Sequence, residues 1–133
     1  MSRVRASTMW EKTMPFYQWD KMVKKNIAKP SESEGSIIIG ENITLNRSVS
    51  QPGKVAKPHF HGCEQILNVV QGTAHFRVGI EEKKVSQGDV VHIPVGVEHE
   101  FTNIGEEEFI YLSFKNKSED WPPPENKPHN FKY

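Results

Sequence analysis

Of 133 residues only one is cysteine, Cys63, so no disulfide can form within the chain. A lone thiol fits a reducing, cytoplasmic compartment and leaves the core to hold the fold. An excess of charge is also missing: Lys and Arg number 17, as do Asp and Glu. A surface that binds nucleic acid through its phosphates needs a basic excess, so no nucleic-acid partner is expected. The short cluster Lys21, Lys24 and Lys25 reads as an ordinary solvated face. No run approaches the ~18 apolar residues of a membrane-spanning helix, so no membrane partner is expected either. The opening MSRVRASTMWEKTMPF has no apolar centre of the kind a secretory signal needs. The sequons at Asn42, Asn46 and Asn116 therefore read as chance. Helical periodicity of convincing length is absent after residue 30.

Short β-rich runs separated by Gly, Pro and Asn are present instead. From Ser36 they include SIIIG, NITLNRSVS, QILNVV, TAHFRV, DVVHIP, EHEFTN and EEFIYLSF. Such strands predict an all-β barrel or jelly roll rather than βαβ units. The reading divides the chain into an N-terminal arm (1–35), a barrel (36–115) and a polar, Pro-rich C-terminal tail (116–133).

Two stretches carry chemistry. PHFHGCEQILNVVQG, at 58–72, puts His59 and His61 two apart, with Gln65 four further on. GDVVHIPVGVEHEFTN, at 88–103, supplies His99. Residues i and i+2 of a strand share a face, roughly 6–7 Å apart, so two imidazoles on one strand can grip one ion. A third imidazole and an amide oxygen from neighbouring strands complete a four-ligand site. The cofactor expected is one divalent metal ion, with Zn, Ni, Fe and Mn all open. Gln65 is a neutral ligand, which leaves the ion's charge uncompensated and favours Lewis-acid work. Glu64, its neighbour, is predicted to face away.

The spacing matches two known patterns. Gly53, His59, His61, Gln65 and Gly72 fit G-x5-H-x-H-x3-[E/Q]-x6-G. Gly88, Pro94, Gly96, His99 and Asn103 fit G-x5-P-x-G-x2-H-x3-N. On these residues the chain resembles the cupin superfamily, which implies a double-stranded β-helix, the cupin jelly-roll barrel. It is similar to the small single-domain cupins with H-x-H-x-x-E-Q, among them the pectin-degradation proteins that linearise unsaturated uronates. The likeness includes Glu64-Gln65, the GEN run at 40–42 and Ser118 to Trp121. In those proteins the last strand adds an acid and a following arginine; the positions here are Leu112 and Ser118. Neither an acid nor a cation is thus expected there, and a different substrate is implied.

The expected function is metal-dependent, isomerase- or lyase-type chemistry on a small carbonyl or carboxylate compound. The alternatives are an Fe- or Mn-dependent dioxygenase of a phenolic or enolic substrate, and a non-catalytic small-molecule-binding cupin. The partners expected are a small-molecule substrate and a second copy of the chain, in a homodimer. His92 is the candidate base. Arg47, His75, Tyr111 and Leu112 are the candidate substrate contacts, and Cys63 a bystander. Alternation sends Leu67 and Val69 inward; with Leu112 inward, Tyr111 points away. The expected pocket is then apolar beyond the metal, suited to a substrate with an apolar or aromatic part.

Overall fold

The computed structural model describes residues 15–28 and 30–123. A 3-10 turn, Trp19–Lys21, precedes nine strands: β1 (Glu34–Ile39), β2 (Ile43–Ser50), β3 (Val55–His59), β4 (Gln65–Gln71), β5 (Thr73–Val78), β6 (Glu81–Ser86), β7 (Val90–Ile93), β8 (His99–Asn103) and β9 (Phe109–Asn116). They form a five-stranded sheet, β1-β2-β9-β4-β7, and a four-stranded sheet, β3-β8-β5-β6. All the strand pairs are antiparallel. This is the all-β jelly roll that the turn-punctuated runs predict. Residues 1–14 and 29 of the arm and 124–133 of the tail lie outside the described residues. The part of the arm that is described packs on the barrel through buried Met22 and Ile27, and Lys25 bridges to Gly35.

Strand alternation decides what fills the interior. Leu67 and Val69 of β4, Ala74 and Phe76 of β5, Val85, Ile93, Phe101 and Phe109 form one apolar cluster. Phe76 stacks on Phe101 at 5.2 Å, and Phe101 meets Phe109 at 5.5 Å. A buried aromatic set of this size is the main stabilising mass of a small domain.

The face of β9 is opposite to the expected one. Register pairs Val69 with Tyr111 and Leu67 with Ser113, so Tyr111, Ser113 and Lys115 point inward with Gln65, Leu67 and Val69. A one-residue difference in register reverses every side chain of a strand. Tyr111 is therefore in the core cluster, edge-on to Phe101, and Leu112 faces the other way, partly exposed.

The first motif's last glycine is fixed by the close approach of chain. Gly72 has φ 87°, and a Cβ there would meet the Glu108 carbonyl oxygen at 2.5 Å. No other residue fits that turn without displacing backbone.

Candidate metal centre

His59 ends β3 and sits opposite His99, which opens β8. His61 is not on the same strand, as the i, i+2 reading had it. β3 breaks register between Ala56 and His59 and stops, and the following loop presents His61. That loop is tied to the second motif: Gly96, at φ 76° in the turn after Pro94, donates its N–H to the His61 carbonyl at 3.0 Å. The two motif turns thus set the separation of two imidazoles. Gln65 is the first residue of β4 and is buried.

The three rings converge. Ring centroids are 4.2 Å apart for His59 and His99, 4.8 Å for His61 and His99, and 5.9 Å for His59 and His61. One ligand atom from each lies within 4.8 Å of the others, a group that can hold a metal ion. Each ring is oriented by a backbone carbonyl two residues away. His59 Nδ1 contacts the Lys57 oxygen at 2.6 Å, His61 Nδ1 that of Cys63 at 2.9 Å, and His99 Nδ1 that of Val97 at 2.9 Å. A carbonyl can only accept, so each Nδ1 carries the proton and each Nε2 keeps its lone pair for a ligand.

Gln65 completes the arrangement. Its Nε2 donates to Ser113 Oγ at 2.8 Å, which turns Oε1 toward His61 Nε2, 3.1 Å away. Both of these atoms are acceptors. Their approach is unfavourable alone and becomes favourable with a cation bound by both. The donor set therefore fits a divalent ion held by three imidazoles and an amide oxygen.

Electrostatics point the same way. Burial pushes the His99 imidazole down to about 4, partly offset by its bond to Val97. Burial also lowers His59, and burial followed by the nearby Lys115 charge lowers His61. Neutral imidazoles are the form that ligates metal. Burial raises the Cys63 thiol, so it is no activated nucleophile.

The remaining candidates divide. His92 does not face the cavity. It is paired in register with outward Ile66, and its Nε2 lies 2.7 Å from Glu64 on the surface. Glu64 itself faces away from the centre, as alternation predicts. His75 is likewise outside, 3.0 Å from Glu82. Arg47 points out of the barrel and lines an outer groove with Lys24, Glu34 and Glu108. Leu112 is outward too, which removes it from the substrate side. Tyr111 is inward and lines the cavity at the histidines together with Leu67, Phe101 and Lys115.

The sequence reading missed the polar half of that cavity. Asn46 and Ser48 of β2, Ser113 and Lys115 of β9, and Ser31 of the arm are buried, and they line its inner extension. A cation does stand near the centre: Lys115, whose Nζ lies 3.6 Å above the ring of Trp121. Burial lowers its amine to about 8. The signal was the parity of β9: once Ser113 is opposite inward Leu67, Lys115 must follow. The expectation of an apolar pocket is corrected accordingly.

A family profile described as a cupin domain matches residues 46–115, more than half of the chain. The chain belongs to the cupin family. An uncharacterized protein of Streptomyces coelicolor is 38% identical over 58 residues, 44% of this chain and 53% of that protein. The chain thus matches about half the length of that relative. An RmlC-like cupin from Shewanella frigidimarina has a similar structure, with TM-score 0.69 and 16% identity over 81% of this cupin and 95% of that chain. KdgF from Halomonas sp. is similar at TM-score 0.68 and 20% identity, over 81% of this cupin and 98% of KdgF. At these identities the structural likeness speaks for the fold alone.

Proposed function

We propose that this cupin is a metal-dependent enzyme that acts on a small carbonyl or carboxylate compound by isomerase- or lyase-type chemistry. His59, His61, Gln65 and His99 would hold one divalent ion. When bound, it would supply Lewis acidity toward a substrate oxygen. The observation that carries the reading is the common orientation of the three rings, each Nδ1 held by a carbonyl and each Nε2 turned toward the others, that of His61 facing Gln65 Oε1. Tyr111 is the cavity's phenol, placed to hydrogen-bond a substrate oxygen or pass it a proton. Phe76, Phe101 and Ile93 wall the other side and exclude water from that oxygen. His92 has no part in the chemistry, since it lies on the surface.

Elemental analysis of protein purified without added metal tests the first step, with one ion per chain expected. Gln65→Glu tests the second. An added negative ligand should hold the ion as well or better and lower a non-redox turnover. Equal or higher turnover would show that the neutrality of Gln65 is irrelevant. Oxygen consumption by the iron-loaded protein would favour dioxygenase chemistry instead.

A further inference from the structure

Among the described residues, Lys115 and Asn46 are two buried polar groups beside the histidines with no full complement of partners; Ser50 Oγ, the other buried polar atom without one, does not line the cavity. Lys115 is 7% exposed and forms no ion pair among the described residues. Its Nζ lies against the Trp121 ring, and the Asp120 charge reaches it only from beyond ion-pair distance. Burying an ammonium without a counter-charge in contact is costly. Asn46 is 5% exposed. Its Nδ2 donates to Ser48 Oγ at 2.8 Å, while its Oδ1 is buried without a partner. An orphaned buried acceptor is costly as well. The two side chains line one cavity extension, and Lys115 also lines the cavity at His59, Gln65 and His99. Two groups beside one site, one without an anion in contact and one without a donor, describe the ligand that satisfies both.

We propose that Lys115 and Asn46 form the substrate-anchoring subsite, and that the substrate is a small hydroxylated carboxylate. Its carboxylate pairs with Lys115 Nζ, a hydroxyl donates to Asn46 Oδ1, and a further oxygen reaches the histidine centre. Trp121 backs the ammonium, and its own Nε1 is spent on Thr44 Oγ1 at 2.8 Å, so it packs rather than recognises. The inference rests on the metal-dependent reading for the third contact only.

The test uses the full chain, with its metal content measured first, titrated calorimetrically with glycerate, malate and galacturonate and with the matching amides. At least tenfold weaker binding of the amides is expected. Lys115→Met should abolish that preference while leaving metal content intact. It should also leave the melting temperature equal or higher, because the buried charge is gone. Asn46→Leu should keep the carboxylate preference and lose the preference for glycerate over propionate. Equal binding of acids and amides across the three pairs overturns the proposal. So does an acid preference that survives Lys115→Met, and so does a large drop in melting temperature with binding unchanged, which would make Lys115 structural. A chain that holds no divalent ion sinks the metal-dependent reading, while the acid-over-amide comparison still decides the role of Lys115.

Discussion

One face of β9 carries two chemistries. Phe109 and Tyr111 pack into an aromatic cluster with Phe101, whereas Ser113 and Lys115, further along the same face, meet Gln65 and the inner polar cavity. β4 divides in the same way: Leu67 and Val69 are core, and Gln65 lines the cavity at the histidines, with Oε1 3.1 Å from His61 Nε2. The apolar end gains from every buried atom. The polar end gathers neutral imidazoles, a buried ammonium and an acceptor without a donor, all of which cost stability until something binds. The same strands thus supply rigidity at one end and unspent interactions at the other, and rigid elements position a site better than loops do.

The largest effect should come from the apolar end. Phe109 is fully buried and touches both Phe101 and Tyr111. Phe109→Ala should cost about 3–5 kcal/mol in urea denaturation, with or without metal. A loss below about 1 kcal/mol would mean that the interior repacks and that the two ends are not so different.

The polar end should respond in the opposite sense. His99→Ala removes the most buried of the three imidazoles. Metal affinity, read by competition with a chelator, should fall about a hundredfold or more, a larger effect than loss of an outer hydrogen-bond partner. Stability of the metal-free protein should change by no more than about 1 kcal/mol, since the deleted ring was itself poorly solvated. A collapse of the metal-free fold would make His99 a structural residue.

Most of this division was legible in the sequence, for a physical reason. Glycines and prolines at fixed offsets mark turns locally, so Gly72, Pro94 and Gly96 announce the strand connections that bring His59 and His99 together. Asn103 is equally local: buried, it staples the following turn through Gly105 N–H and the Ser50 and Glu107 carbonyls. Register across a sheet has no such local marker. It is fixed by which strand lies beside which, and β9 pairs with β2 and β4, both distant in the chain. That is why a parity with Leu112 inward and Tyr111 outward is open to the sequence alone, and why Lys115 gives no signal there. His92 failed for the same reason, because only its pairing with Ile66 reveals that it is outward.

Acidity should separate the two ends further. His99 stays neutral in the fold until about pH 4, while in the unfolded chain it takes its proton near 6.5. Between these values the unfolded chain binds more protons, so the metal-free protein should lose stability as pH falls from about 6.5 toward 4. His59 and His61, also lowered, add to the same slope. Lys115 acts above neutrality. Its folded amine deprotonates near 8 and its unfolded one near 10.5, so stability should rise across that interval. Denaturation of chelator-treated protein at several pH values checks both. His99→Ala should flatten the acid limb and Lys115→Met the alkaline one, while Phe109→Ala shifts the whole curve and leaves its shape. Unflattened limbs would move the titrating groups elsewhere.

The smallest effect should come from His92, which lies outside both ends. Its ring is about half exposed, and its pairing with Glu64 is a surface contact. Such pairs contribute roughly 0–1 kcal/mol, less in salt. The position is nonetheless informative, because β7 runs beside β4 and one residue of slip would carry His92 to the inner face, next to Gln65. His92→Ala should therefore change stability by less than about 0.5 kcal/mol. It should leave metal content and carboxylate binding as they are in the unaltered chain. If it instead weakens carboxylate binding tenfold, as Lys115→Met is expected to, the register of β7 on β4 is wrong and the polar end extends across a strand that the structure assigns to the surface.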